Sequence, residues 1–289
     1  MFFFAEFMVH PIAADATVLG TINVMLWAIS TFVLGKTWPV DFVWSCWPLL
    51  QCALILHRGD DGVCTRHISV CVLVAVWGYR LTHNFVSRGG IGHEDWRYVA
   101  MRSQFGKHFW WVSLFSVFLG QTTFLFAACL PLYGALSSSA PFPTASDGVA
   151  LAVSTAAILL EACADMQMDE HIAAKREHRT DVIVLKTGLW AWSRHPNYLG
   201  EISWWWGVWF FSLSAPDAPW LPGIAGPLSI TFLFTAISVK LIEDRQLDNK
   251  GEHYRQYTQE TPSSLLLLPP QLGRHLGAWM YSDAPPPMS

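Results

Sequence analysis

The stretch Leu185–Glu201, LKTGLWAWSRHPNYLGE, places charged and polar side chains immediately before the apolar run 202–213. Charged groups next to hydrocarbon are costly and are usually retained for function. The stretch therefore predicts a polar site where a membrane helix meets the bilayer surface. The polar residues concerned are Arg194, His195, Asn197, Tyr198 and Glu201.

The same residues indicate the start of a helix. Pro196 suits the first helical position, because its missing N–H would have no helical partner there. His195 or Ser193 would then lie at or just before the N-cap. Asn197 and Glu201 are four residues apart, so they would share one helix face. That face lies at the positive end of the helix dipole, which attracts anions such as phosphate.

The composition is typical of a membrane protein. Apolar residues make up 52% of the 289 residues, charged residues only 14%, and the mean hydropathy is +0.31, whereas soluble domains carry about 25% charge. Many of the 16 Trp lie near the ends of apolar runs, as in an interfacial aromatic belt. The net charge of -4 disfavours nucleic acid as a partner. The six cysteines lack CxxC spacing and lie mostly in apolar runs, which predicts buried thiols rather than disulfides or metal ligands.

The apolar runs predict an all-α, multi-pass integral membrane bundle of about seven spans, since each span needs about 20 residues. The chain, residues 1–289, is expected to form one domain, with a disordered proline-rich end at 283–289. The second and sixth spans are short enough to be re-entrant. The predicted spans are 16–35, 39–56, 67–86, 109–136, 147–166, 199–214 and 222–243.

Lys and Arg are concentrated after the third and fifth spans and in the tail, whereas the opposite side carries only Arg58 and Arg66. The positive-inside rule then predicts a cytosolic C-terminus and a lumenal or external N-terminus. In a eukaryote we expect the endoplasmic reticulum membrane. Four polar clusters would face the cytosol: residues 79–98; Glu161, Asp165, Gln167 and Asp169; residues 194–201; and Glu243–Arg245 with Tyr254 and Tyr257.

These clusters have the chemistry of a nucleotide site. Carboxylates can bind ribose hydroxyls, basic groups can bind phosphates, and aromatic rings can stack on a base. Simpler interpretations remain open. Basic residues near helix ends often only snorkel, His195 could be a cap alone, and Glu161 and Asp165 could form structural ion pairs with Arg80 or Arg194. No glycine-rich Rossmann motif is present.

Several segments resemble the steroid 5-alpha-reductase-like membrane family, and in particular its little-characterised members with a C-terminal domain of the 3-oxo-5-alpha-steroid 4-dehydrogenase type. The resemblance covers about residues 70–270. The Arg-His-Pro core alone also occurs in isoprenylcysteine carboxyl methyltransferases and phospholipid methyltransferases. The segments concerned are Trp77–Leu81, Glu94–Tyr98, Phe109–Trp110, Gln121, Leu130–Leu132, Glu161 with Ala164–Gln167, Gly188–Trp190, Ser193–Tyr198, Gly200–Glu201, and Glu243–Arg245 with Tyr254–Tyr257.

The resemblance implies an NADPH-dependent reductase, an oxidoreductase acting on a CH–CH group of a steroid-, sterol- or fatty-acyl-like substrate reached from the bilayer. The cofactor-binding part would be about 160–270. The implied cofactor residues are Asp165, Arg194, His195, Asn197, Tyr198, Glu201, Arg245, Tyr254 and Tyr257.

The catalytic acid is not assigned by the resemblance. Trp77 stands near the position where the family's catalytic Tyr would be sought, which leaves Tyr79, Asp41 and Tyr198 as weak candidates. Two other functions stay open at this point. One is an S-adenosylmethionine-dependent isoprenylcysteine or phospholipid methyltransferase, and the other is a non-catalytic membrane protein that keeps the fold.

Overall fold

The structure, a computed structural model, describes residues 11–59, 62–215 and 220–280, and these residues form helices without any strand. The side chains of 220–222 and 276–280 are not described, and the proline-rich end 283–289 lies outside the described residues. The prediction of an all-α helical bundle is therefore confirmed.

Helices form at all seven predicted spans, and two further helices follow them in the sequence. The helix α4 contains a 3-10 turn at Gly106–His108 and a π turn at Leu114–Phe118. The helices of the described residues are α1 Pro11–Leu34, α2 Pro39–Arg58, α3 Thr65–Ser87, α4 Trp96–Leu136, α5 Ala145–Arg176, α6 Pro196–Ser212, α7 220–250, α8 Glu252–Glu260 and α9 Pro270–Met280.

Five of these helices are long and apolar enough to cross a membrane: α1, α2, α4, α5 and the part Gly223–Lys250 of α7. The other two predicted spans are helical but less apolar or shorter. α3 carries Arg66 and Arg80, and α6 has 17 residues, slightly fewer than the roughly 20 of a straight span. The five apolar helices indicate an integral membrane protein.

Large apolar side chains are exposed on the outer helices, while several polar side chains are buried, as expected where lipid is the solvent. In α1, only 17% of the apolar window is buried inside the chain, and Phe32 is exposed. Asp15 of the same helix is completely buried. The lipid bilayer is thus the partner that covers the outer surface.

The cysteine prediction is only partly correct. Cys52 and Cys129 are buried free thiols, but Cys46, Cys64 and Cys163 are exposed. The error has a physical reason: in a membrane protein an apolar run has a lipid-facing side as well as an interior side, so apolar neighbours do not imply burial.

The chain divides into two compact units. The first consists of residues up to Ala150 with Val208–Ser229, and the second of Leu151–Gly207 with the residues from Ile230 onward. Each boundary falls inside a continuous helix, namely α5, α6 or α7.

In the second unit, two glycines of α6 allow close packing against α5. A Cβ at Gly200 would lie 2.7 Å from Cβ of Glu161, and a Cβ at Gly207 would lie 2.9 Å from the backbone N of Ser154. Small residues at a crossing let two membrane helices approach closely. This contact sets Glu161 of α5 against the first turns of α6.

Candidate functional site

The loop before α6 is anchored on α5 by its Gly-Leu-Trp sequence. Gly188 has φ +60°, and a Cβ there would lie 2.5 Å from Oε1 of Gln167. The Leu189 N–H donates to that same oxygen at 2.9 Å, and Nε1 of Trp190 donates to the carbonyl of Ala164 at 3.1 Å. The two motif segments quoted from the sequence are therefore in contact.

The start of α6 agrees with the sequence prediction. Pro196 is the first helical residue, and the carbonyl of His195 accepts the N–H of Tyr198 at 3.1 Å. His195 is thus the N-cap, and its own N–H donates to Oγ of Ser193 at 3.2 Å.

Arg194 is committed to partners inside the second unit. Its Nε donates to Oε1 of Glu243 at 2.7 Å, and its Nη1 donates at 2.7 Å to the carbonyls of Thr261 and Pro262. The residue is only 8% exposed. Glu243 also contacts Nε2 of His195 at 3.0 Å. These contacts suit a positioning role for Arg194.

Residues 261–268, the C-terminal strap, run along the residues that precede α6. The N–H of Arg194 donates to the Ser263 carbonyl at 3.0 Å, and that of His195 to the Ser264 carbonyl at 2.9 Å. The Leu268 N–H donates to the carbonyl of Trp192 at 2.9 Å. Distant parts of the sequence thereby fix the motif.

Two tyrosines of α8 lie next to the residues that precede α6. The hydroxyl of Tyr257 donates to the Trp190 carbonyl at 2.6 Å, and the Tyr254 and Tyr257 rings pack edge to face at 5.7 Å. Burial raises the pKa of the Tyr254 phenol, and likewise the pKa of the Tyr257 phenol. Both are therefore neutral hydrogen-bonding groups at physiological pH.

An aromatic surface lies at the beginning of α6. The His195 ring stacks on Tyr198 with centroids 5.2 Å apart and planes 14° apart. Tyr198 in turn meets Phe234 of α7 edge to face at 4.7 Å. These contacts restrict the Tyr198 ring to one orientation.

Asn197 differs from its neighbours because its side-chain oxygen has no partner among the described residues. This Oδ1 is buried, and no residue that the structure describes donates a hydrogen bond to it. A buried amide oxygen without a donor costs free energy unless a water or ligand supplies one. Glu201, one turn later on the same face, is buried and accepts the Nε1–H of Trp205 at 3.0 Å.

All nine predicted cofactor residues belong to the second unit. Recorded contacts bring Arg194, His195 and Tyr257 together around the motif, and Tyr254 lies beside Arg194 and Glu243. Asp165 is buried on α5, one residue after the carbonyl that receives Trp190, and Arg245 lies two residues beyond Glu243 on α7. The sequence-based site omitted Glu243, although the Glu243–Arg245 cluster was its visible signal.

Two of the three catalytic candidates lie in the first unit. Tyr79 is 72% exposed, and its ring lies 6.1 Å from that of His83. Asp41 accepts the hydroxyl of Tyr98 at 2.7 Å, and Nε2 of Gln121 donates to the Tyr98 oxygen at 2.8 Å. Tyr98, which is 3% exposed, was not among the candidates, because its contact with Asp41 spans 57 residues of sequence.

Comparison with known proteins places the chain in a family. A family described as a protein of unknown function, DUF1295, matches residues 26–261. The chain belongs to this family. The DUF1295 chain is also 28% identical over 243 residues to an uncharacterised protein of Schizosaccharomyces pombe, covering 74% of this chain and 69% of the other. No solved structure matches it.

Proposed function

We propose that this DUF1295 protein is a membrane-embedded reductase that binds NADPH in its second unit and reduces a double bond of a lipid-soluble substrate. The observation that carries the proposal is the buried, unpartnered amide oxygen of Asn197. It lies on the first turn of α6, in the stretch that resembles the steroid 5-alpha-reductase-like family. A bound cofactor would supply the missing donor.

The residues present fit a nucleotide. The amide of Asn197 can pair with an amide or hydroxyl of the cofactor, and the buried carboxylates of Asp165 and Glu201 can accept ribose hydroxyls. The stacked rings of His195 and Tyr198 offer an aromatic surface next to these groups. When bound, NADPH supplies the hydride, and the protein supplies binding and orientation.

The basic residues divide into two roles under this proposal. Arg194 positions the motif, because its guanidinium already donates to Glu243 and to two carbonyls. Arg179 pairs with Glu170 and Glu177 at the surface. We therefore expect the 2′-phosphate of NADPH to depend on Arg176, because Arg can bind a phosphate through two parallel hydrogen bonds.

Reduction of a polarised double bond also needs a proton donor or a group that polarises a carbonyl. Of the three predicted candidates, Tyr198 belongs to the same unit as the cofactor residues. Loss of turnover with unchanged NADPH affinity in Tyr198→Phe would support Tyr198 as this donor, whereas unchanged turnover would overturn it.

A second candidate function is methyl transfer from S-adenosylmethionine. It is favoured by the acidic character of the second unit, in which the carboxylates of Glu161, Asp165 and Glu201 are buried and that of Glu243 is half-buried. A cationic sulfonium would be attracted by such a site, and the Arg-His-Pro core also occurs in membrane methyltransferases. A non-catalytic protein that keeps the fold would bind neither cofactor.

Measuring the affinities of NADPH and of S-adenosylmethionine for the purified protein in lipid nanodiscs distinguishes these functions. Asn197→Ala should weaken NADPH binding by roughly 1–3 kcal/mol, or about 5- to 150-fold, the cost of losing a buried hydrogen-bond partner. Asn249→Ala, an exposed amide at the end of α7, is the matched control. An unchanged NADPH affinity in the folded variants Asn197→Ala, Asp165→Ala and Glu201→Ala refutes the site, and a selective loss of S-adenosylmethionine affinity favours the methyltransferase.

Turnover identifies the reaction. Tritium-labelled NADPH should transfer label into extracted lipids, whereas methyl-labelled S-adenosylmethionine should not. Arg176→Ala should lower the preference for NADPH over NADH, while Arg194→Ala should weaken both cofactors together because it disturbs the motif. If Arg176→Ala keeps the wild-type NADPH/NADH ratio, Arg176 does not bind the 2′-phosphate.

The orientation completes the proposal. With a cytosolic C-terminus and a lumenal N-terminus, in the endoplasmic reticulum if the source is eukaryotic, cytosolic NADPH would reach the second unit directly. Counting α3 and α6 as spans keeps the basic segments 88–107 and 175–194 on one side, as the positive-inside rule requires.

A further inference from the structure

The first unit contains a cavity of about 620 Å³ at the ends of α2, α3 and α4. This volume is typical of sites that enclose a small organic molecule. One part of the wall is apolar and is formed by Pro11, Ile55, Leu56 and Leu136. The other part is polar, and its chemistry indicates what the cavity can bind.

The polar wall is built around a charge pair whose two members are differently exposed. The carboxylate of Asp15 is completely buried, whereas Arg58, which lines the cavity, is 35% exposed. Oδ2 of Asp15 accepts hydrogen bonds from Gln51 at 2.7 Å, from Tyr133 at 2.6 Å and from Nη1 of Arg58 at 2.8 Å. Oδ1 accepts from Nη2 of Arg58.

Arg58, the cationic member of the pair, therefore lines the cavity, whereas Asp15 does not. Arg58 uses two N–H groups on Asp15, and a guanidinium has five, so three donors remain. The oxygens of Asp15 are occupied and lie behind the guanidinium. The pair is neutral as a whole, and its guanidinium is the member that faces the cavity.

The other polar side chains of the wall can donate hydrogen bonds, and none of the described lining residues is a carboxylate. Nδ1 of His67 accepts the N–H of Cys64 at 3.2 Å, so the proton of a neutral ring is on Nε2. The hydroxyls of Ser137 and Ser139, which also line the cavity, are exposed. Asp60 and Asp61 follow Gly59 in the sequence and lie outside the described residues.

We propose that this cavity binds a single-chain amphiphilic anion, with its carboxylate or phosphate on Arg58 and its chain on the apolar wall. The apolar wall explains why an amphiphile fits better than a free ion, and the donor-rich wall explains why an anion fits better than a neutral lipid. The site lies wholly within the first unit and does not depend on the proposed reductase function.

The test uses the full chain in phosphatidylcholine nanodiscs and a photoreactive alkyl-diazirine fatty acid. The acid should bind at least about tenfold tighter than its methyl ester, since a charge-assisted hydrogen bond contributes roughly 1.5–3 kcal/mol. Photolabelled peptides should map to residues 55–67 and 133–140. Dodecyl phosphate should compete with the probe, whereas inorganic phosphate should not.

Two variants keep the test independent of folding. Arg58→Gln alone would leave Asp15 buried without its cation, so the double variant Asp15→Asn/Arg58→Gln is used, and it should lose the preference for acid over ester. Ser139→Trp should narrow the cavity and weaken both probes. Arg274→Gln, an exposed arginine of the second unit, is the control and should change neither.

Four results would overturn the proposal, three of them from binding and labelling and the fourth from competition. The first is equal binding of acid and ester by the unaltered protein. The second is labelling spread over the lipid-facing helices rather than confined to the cavity wall. The third is an intact acid preference in the folded double variant Asp15→Asn/Arg58→Gln. Competition by inorganic phosphate as strong as that by dodecyl phosphate would show a simple anion site instead.

Discussion

Replacing Arg66 by Met should destabilise the first unit strongly. Arg66 and Asp147 are both 0% exposed and are joined by two hydrogen bonds of 3.0 and 2.8 Å. The same guanidinium donates to the carbonyls of Ser138, Ala140 and Pro141 at 3.2, 2.9 and 3.1 Å. One substitution thus leaves a buried carboxylate and three carbonyls without their cationic donor.

The size of the destabilisation depends on the hydrogen bonds that Asp147 keeps when Arg66 is replaced. Breaking a buried ion pair by removing one partner costs about 3–5 kcal/mol. Oδ2 of Asp147 still accepts the N–H and the hydroxyl of Thr144, both at 2.8 Å, which favours the lower part of that range. For a chain of this size the loss corresponds to a fall in melting temperature of roughly 6–20 °C.

The assay can use the buried thiols of the first unit. Cys52 and Cys129 are 1% and 0% exposed, so a thiol-reactive dye reports their exposure during melting once the other four cysteines are replaced by Ser. The double variant Arg66→Met/Asp147→Asn removes both charges and should recover more than about 1 kcal/mol. A melting temperature within 2 °C of the parent for Arg66→Met, or a double variant less stable than the single one, would refute this reasoning.

Three further outcomes test the second unit and the topology. Gly207→Ala should lower thermal stability by about 1–3 kcal/mol, because the new Cβ would contact the Ser154 backbone. Gly148→Ala is the control and should not lower it, because the space around Gly148 is open. Equal stabilities of the two variants would contradict the packing of α6 against α5. Tyr257→Phe should cost roughly 1–3 kcal/mol. Because burial raises the pKa of this phenol above 10.0, its contribution is complete below about pH 10 and lost as pH rises further, so the variant should lose less stability between about pH 8 and pH 11. In a cysteine-free chain, Glu177→Cys and Ser139→Cys should react with an impermeant label from opposite sides of the membrane, and labelling from the same side refutes the predicted orientation.

Local signals in the sequence were sufficient to locate the seven predicted spans, but not the two helices that follow them. Pro11, Pro39 and Pro196 each begin a helix, as expected for residues that lack an N–H and have a fixed φ. The left-handed Gly35, with φ +66°, ends α1. Such signals act over a few residues, so they could be read without knowing the tertiary structure.

The partners of the polar residues could not be predicted in this way. Arg58 contacts Asp15 across 43 residues of sequence, and Arg194 contacts Glu243 across 49. An arginine near a helix end has the same sequence appearance whether it snorkels, holds a loop or binds a phosphate. Only the positions of its donors distinguish these roles, which is why the cavity of the first unit had no counterpart in the sequence-based predictions.

The contacts also show which part of the family resemblance carries chemical information. Gly188, Trp190, Arg194 and Tyr257 use their polar atoms or their small size to join α5, α6 and the C-terminal strap. This arrangement of helices needs such residues whatever reaction the protein catalyses. Asn197 has no such structural use, since its side-chain oxygen accepts no hydrogen bond from the described residues. Under the proposed function, we therefore expect variants of Asn197 and its neighbouring carboxylates to distinguish NADPH from S-adenosylmethionine, whereas variants of the scaffold residues should weaken both alike.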